Sequence, residues 1–290
     1  MTISKTTAGP VLCASLAALA LAAAGCSSST GSNSYSSSGS SGSGGSSSSA
    51  TQQSPTQLVQ AAYAKTSAAK SAKVAMSGNV GGQTLTGNGV ISFADKTSEL
   101  TITTTQGSIE SRTVGGVTYS KLPAQLASVL HNNKPWIKVD NASAGKLGSS
   151  LPQPGDFSAY LQGISSSVTK VGTSTVRGTA TTHYKAQVDL DKVAAASTDA
   201  QKQAITALEK ANGTKTFPVE VWLDKDGLVR RVRTSVPLPK ASSTGASSGS
   251  SSSQNAVVTV EYYDFGTAVN VSAPPASQVT DLKSLLPGTN

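Results

Sequence analysis

The side chains able to do chemistry are few, and the most telling is a thiol. Cys26 closes the run Ala23-Ala24-Gly25-Cys26, directly after an apolar stretch from Val11 to Ala24. Small residues ahead of a cysteine suit a peptidase that needs narrow side chains at its cut, and a cysteine left first in the mature chain offers its sulfur for alkylation by a diacylglyceryl donor. Cys13, the other cysteine, lies inside the apolar run and leaves with it, so no disulfide can form within one mature molecule. The two histidines are His131, beside Asn132-Asn133, and His183, on the polar side of a strand pattern. Neither comes with a nucleophile: no Gly-x-Ser-x-Gly stands between a strand pattern and a helix pattern as an elbow does, and no thiol is free after maturation. Zinc ligands at useful spacing are lacking. Asp224-x-Asp226-Gly227 imitates the opening of a calcium loop without the bidentate acidic residue needed further on, and reads as a hairpin turn. The residues predict no catalysis, no metal and no cofactor.

What precedes Cys26 has the order of an export signal. Met1 to Pro10 carries Lys5 and no acidic residue, then the apolar run follows. That run is too short to span a bilayer, and polar serines follow it in place of the basic flank of a retained membrane helix. The segment resembles a bacterial lipobox, with residues 1–26 as signal and Cys26 as the lipidation site. Each methylene buried in a bilayer is worth roughly 0.8 kcal/mol, so a two- or three-chain anchor holds where a single chain only visits. The mature protein is therefore expected at the extracytoplasmic face of the cell membrane, lipid-anchored. Residues 27–53 are nearly pure Ser and Gly, unable to bury enough apolar surface to offset ordering. They form a flexible stalk with a reach of roughly 30 Å.

The remaining 54–286 fit one domain, interrupted by a second Ser/Gly tract at 241–254 expected to be a floppy hairpin tip. In the 290-residue chain aromatics are 4%, charged residues 13% and the formal net charge +8. A basic chain can seek anionic partners, but its exported location argues against nucleic acid. The basic residues are scattered, and around Arg230, Arg231 and Arg233 no aromatic platform interleaves in sequence as single-strand binding requires. The charge is read as solubility and mild membrane affinity.

The elements follow from period and punctuation. Ser54-Pro55-Thr56-Gln57 is a helix start, and Leu58, Ala61, Ala62, Ala69 and Ala72 share its slim packing face to about Ser71. From Lys73 the period becomes alternating: Val74 and Met76, then Leu85, Ile91 and Phe93, then Leu100 and Ile102, then Val117 and Tyr119 describe an antiparallel meander. Gly87 and Gly89, on the face of Leu85 and Ile91, mark a bend or the close approach of another group. A short amphipathic segment, Ala124 to Leu130, leads to the strand Trp136–Val139. A Pro-rich loop, Leu151 to Gly155, and helical turns over 157–161 follow. Strands are expected around Val168–Val171 and Thr175–Asp189, the latter with Tyr184, Ala186 and Val188 on its dry face. A helix from Thr198 to Ala211 stops at Asn212-Gly213. Phe217–Leu223, the Asp224–Gly227 turn and Leu228–Val236 form a hairpin, and Val257–Phe265 is the last strand.

With these pieces in order, the later chain resembles the LppX/LprG family of actinobacterial lipoproteins, within the LolA/LolB-like superfamily. The resemblance rests on Val114-Gly115-Gly116-Val117-Thr118-Tyr119 followed by Trp136, Gly178 to Tyr184, Val219 to Asp224 with Gly227 and Arg230, and Tyr263-Asp264-Phe265-Gly266 to Ala273-Pro274-Pro275. It implies an α+β fold in which a curved antiparallel β-sheet, a half-barrel, has helices packed on its concave face. An apolar cavity between them takes acyl chains of a lipid or glycolipid, which is carried across the cell envelope with an envelope transporter as a further partner and the protein acting as a monomer. The expected cavity residues are Met76, Leu100, Ile102, Tyr184, Ala186, Val188, Val221, Val258, Val260 and Tyr262. Two readings without a lipid ligand compete: a structural lipoprotein of the cell wall with a filled core, and a sensory or interaction lipoprotein.

Overall fold

The computed structural model describes residues 53–80, 82–129, 133–139, 163–164, 167–195, 202, 205–206, 209–210, 213–237 and 255–285. The signal with Cys26, the stalk but for Gln53, His131, the 151–155 and 157–161 segments and the 241–254 tract lie outside the described residues. Of the helix expected over 198–211, the described Lys202, Ile205, Thr206, Glu209 and Lys210 are helical, and the Gly213 N–H donates to Glu209 O (2.8 Å) at φ +65°, as a left-handed terminator does.

Helix α1 (Pro55–Ala68) starts where the sequence places it: Ser54 Oγ accepts the Gln57 N–H at 3.3 Å, and Gln57 Oε1 accepts the Ser54 N–H at 2.9 Å. It stops earlier than Ser71, because Lys70 turns to φ +69° and Ser71 already belongs to the first strand. Its buried side is Val59, Ala62 and Thr66, a rotation away from the expected alanine face.

The strands are β1 (Ser71–Val80), β2 (Gln83–Ser92), β3 (Thr97–Thr104), β4 (Gly107–Val114), β5 (Val117–Lys121), β6 (Trp136–Val139), β7 (Thr169–Val176), β8 (Thr179–Asp189), β9 (Thr216–Asp224), β10 (Val229–Pro237), β11 (Asn255–Tyr263) and β12 (Val279–Asp281). They form one open, curved sheet in the order β12-β6-β5-β4-β3-β2-β1-β11-β10-β9-β8-β7. Every pairing is antiparallel except β12 with β6, which is parallel. Two short helices, α2 (Ala124–Val129) and α3 (Leu190–Ala195), lie between the strands. The α+β class with a curved antiparallel sheet is as the sequence predicts.

One strand divides differently. The single strand expected over Thr175–Asp189 is split by Arg177 (φ +46°) and Gly178 (φ +78°), a two-residue turn with both centres left-handed, which matches strand twist and makes a β7–β8 hairpin. At its far end Asp189 Oδ1 accepts the Asp191 and Lys192 N–H groups (3.0 and 3.4 Å), and this cap starts α3.

A buried hydroxyl ties α1 to the sheet. Thr66 Oγ1 donates to Ala62 O (2.7 Å) and accepts the Val229 N–H (2.9 Å) at the head of β10. Removing it leaves a buried N–H without its partner, at a cost of about 1–3 kcal/mol. Thr66→Val should lower the unfolding free energy by that amount, seen as a lower urea midpoint with an unchanged m-value; an unchanged midpoint would show that α1 is not fastened there.

Candidate functional site

Register decides which side chains share a face. In an antiparallel sheet directly paired residues point the same way and successive residues alternate. One rung runs Ile109, Ile102, Gly87, Met76, Val260, Val232, Val221, Tyr184 across β4, β3, β2, β1, β11, β10, β9 and β8. A second carries Ile137, Ser120, Ser111, Leu100, Gly89, Val74 and Tyr262. A third carries Thr104, Leu85, Gly78, Val258, Thr234, Val219 and Ala186. Val188 pairs with Phe217 on the same side. All ten residues expected to line a cavity thus lie on one face, which we call inner because Val59 and Ala62 of α1 join its core. Eight are buried, and Ile102 and Val258 are half-buried.

The packing of this face is shallow by composition. Gly78, Gly87 and Gly89 occupy inner positions of β1 and β2. A methyl placed on Gly89 would strike the Glu99 carbonyl and lie 2.8 Å from Leu100 Cδ2, so the close approach the sequence anticipated is that of β3, its backbone at Glu99 and its Leu100 side chain. A helix is about 10–12 Å wide and strands lie about 4.8 Å apart, so one helix covers about two strands. Helix α1 packs over β9 and β10. Tyr262, buried in the centre against Phe93 with ring centroids 6.4 Å apart, has its phenol pushed well above its ordinary value by burial.

The outer face is ionic. One rung reads Trp136, Lys121, Glu110, Thr101, Asn88, Ala75, Glu261, Arg231, Trp222 and His183 from β6 to β8. Both tryptophans are on it, each under an arginine: Arg112 Cζ is 5.0 Å from the Trp136 ring centre and Arg231 Cζ 5.3 Å from that of Trp222. Arg112 pairs with Glu110 (2.7 Å), and Arg231 and Arg177 both pair with Glu261 (2.6 and 2.7 Å). His183 is stacked flat on Trp222 at 4.1 Å, its Nε2 2.7 Å from Glu220 Oε2, close as an ion pair but not aligned as a hydrogen bond. Aromatic rings do therefore interleave with the basic residues in space, contrary to the sequence reading. The rings are covered, with Trp222 only 7% exposed, and offer no open platform for bases.

The Asp224–Gly227 segment is the hairpin turn expected. Asp224 Oδ1 accepts the N–H groups of Asp226 and Leu228 (3.0 and 2.9 Å), and Oδ2 accepts Arg230 Nε at 2.7 Å, which occupies the carboxylate. Among the described residues no three His, Cys, Asp or Glu side chains are grouped to hold a metal, and no helix is long and apolar enough to cross a membrane.

No family model matches the chain. An uncharacterized 31.2 kDa protein in the rplA-rplJ intergenic region of Streptomyces griseus is 28% identical over 262 residues, 80% of this chain and 80% of that one. Among solved structures the chain is similar to the Mycobacterium tuberculosis lipoprotein LppX, with TM-score 0.45 and 13% identity over 74% of this chain and 98% of that one. It is also similar to LprF from Mycobacterium bovis, with TM-score 0.42 and 12% identity over 76% and 96%.

The outer ion pairs carry a pH signature. Burial alone would raise the Glu261 carboxyl, but hydrogen bonds from Arg231 and Arg177, with their charges, hold it below its ordinary 4.5. A depressed carboxylate contributes stability above its unfolded pKa and loses it as pH falls through the folded value. The stability gap between the native chain and Glu261→Gln should be full at pH 7 and shrink below pH about 4.5. Denaturation curves at pH 7 and pH 3 with the same gap would contradict the pairing.

Proposed function

We propose that this is a membrane-anchored, exported lipoprotein of the LppX/LprG kind that binds the acyl chains of a lipid or glycolipid against the inner face of its sheet and carries them across the envelope. The observation that supports it is the segregation itself: the ten apolar candidates share one face, set with glycine and alanine, while the charges of the central strands lie on the other. Hydrocarbon gains roughly 0.8 kcal/mol for each methylene it moves from water to such a surface, so an acyl chain is a fitting occupant. The lipobox-like Ala23-Ala24-Gly25-Cys26 places the domain on a diacylglyceryl anchor, with the 27–53 stalk letting it reach the bilayer or the wall layer.

The reading is of a carrier and not of a catalyst. His183, the described histidine, stacks on Trp222 on the outer face, away from the proposed lipid surface. Carriage implies a donor and an acceptor membrane or an envelope transporter, and the chain's formal net charge of +8 suits approach to anionic headgroups.

Native mass spectrometry of the gently purified protein should show stoichiometric lipid, and an empty chain would return the protein to an anchored structural or interaction role. Ala186→Trp, which adds bulk between Val219 and the inner core, should lower lipid content more than stability; unchanged lipid content would remove Ala186 from the surface. Cys26→Ala should release the domain into the medium, and retention at the membrane would overturn the anchor.

A further inference from the structure

The two open edges of the sheet are unlike. The β12 edge is three residues long and its charges are answered: Lys138 lies 3.6 Å from Asp281, and Lys134 Nζ donates to Val279 O at 3.0 Å. The β7 edge runs eight residues, Thr169–Val176, and carries no acidic residue. Among the described residues Val171 on this edge is the large apolar side chain left exposed, at 50%. Pairing shows why it stands out. Lys170 is opposite Tyr184 and Gly172 opposite His183, so Val171 is an extra residue with no partner on β8, a β-bulge. Regular alternation back from Gly172 would put Lys170 on the outer face, and the bulge turns it to the inner side, beside Tyr184. Among the described strand pairs it is the only charged residue of inner register. Lys185 stands on the outer side of the same edge, opposite Thr169. Both lysines are exposed, and among the described residues neither is in an ion pair, whereas Glu261 holds Arg177 and Arg231 and Glu220 holds Arg233.

A long open edge invites another strand, and a bulge with a lysine beside it is a device that blocks such pairing. What this edge does fit is a charged plane. An isopropyl group stands between two ammonium groups whose carbon stems can lie along the surface while their heads reach outward. Anionic headgroups attract lysines held near them, and β7 has no carboxylate to oppose that pull. The chain's attachment points the same way. Residues 27–53 join at Ser54, the cap of α1, and α1 packs over β9 and β10. Measured along the sheet, β9 is two strands or about 10 Å from β7, whereas β10 is eight strands or about 38 Å from β12.

Resting on the anchor reading above, we propose that β7 is a membrane-docking edge. Val171 seats in the headgroup layer of an anionic bilayer, with Lys170 on its inner side and Lys185 on its outer side against the lipid phosphates. The sheet then stands edge-on to the bilayer, with the β7 end of its inner face next to the lipids. Docking of this kind needs no lipid already on the inner face.

The test sediments the full mature chain carrying Cys26→Ala, which leaves the anchor out, with vesicles of dioleoylphosphatidylglycerol and dioleoylphosphatidylcholine in equal parts, and with vesicles of the phosphatidylcholine alone. Binding should be confined to the anionic vesicles and fall as salt is raised. A lysine near such a surface contributes roughly fivefold, so Lys170→Gln with Lys185→Gln should weaken binding by about 25-fold. Lys96→Gln with Lys121→Gln removes the same charge at exposed positions away from β7 and should cost about twofold or less, because those charges are screened from the surface. In difference against the parent chain, Val171→Trp should shift its emission to the blue on anionic vesicles, and Thr86→Trp, exposed on the outer face, should not. Four results overturn the docking edge: no sedimentation of the parent chain with anionic vesicles, equal loss from both lysine pairs, an unmoved Val171→Trp emission, or a dimer paired through β7 that leaves vesicles unbound. Each is separable from failure of the carrier reading, which the lipid content of the same preparations reports, and from failure of the anchor, which retention of the Cys26→Ala chain at the membrane reports.

Discussion

Register is the constraint on which the rest depends. Twelve strands hydrogen-bonded edge to edge carry every second side chain to one face, and a slip of a single residue would exchange the faces completely. In this sheet such a slip would drive Glu110, Glu261 and Arg231 into the interior and put Met76, Val260 and Val221 in water. The ionic rung from Trp136 to His183 therefore acts as a lock on the apolar rung beside it. The arginines over Trp136 and Trp222, each paired to a glutamate, fix the outer face at both flanks of the sheet.

A face sorted this cleanly has to be covered, and among the described residues the cover comes from α1, from Leu190 and Val193 of α3, and from Ile164 and Ile205. Helix α1 is narrow, buries Val59, Ala62 and Thr66, and is tied by one hydroxyl to the start of β10. Glycines at 78, 87 and 89 lower the floor under β1 and β2, with Leu100 leaning across the second of these strands. Interiors normally reach the density of organic crystals. A face of small side chains can reach it either by collapsing or by taking in a fluid apolar filler, and a hydrocarbon chain is the filler whose transfer from water is favourable.

Much of this was legible in residues whose role is local. Ser54 and Gln57 announced the capping box, Asp224 and Gly227 the turn, and the alternation of Tyr184, Ala186 and Val188 the inner side of β8. What sequence hid depended on partners far along the chain. Strand β4 has Ile109 as its main inner apolar residue, so its hydroxyls look like loop until β3 and β5 are seen beside it. Arg177-Gly178 lacks the Asn-Gly or Asp-Gly pair that usually signals a two-residue hairpin. Nothing local assigns Trp136 and Trp222 to a face, and only the pairing partners show them on the ionic one. The parallel match of β12 with β6 joins residues too distant for any local pattern to reveal.

The central claim is that hydrocarbon lies against the inner face and nowhere else. Nuclear Overhauser contacts from protonated dioleoylglycerol to a deuterated, methyl-labelled chain test it directly. The account predicts contacts to the methyls of Met76, Ile102, Val221 and Val260 and none to Ala75 on the opposite face. Contacts confined to the outer face, or none at all with the lipid bound, would contradict it.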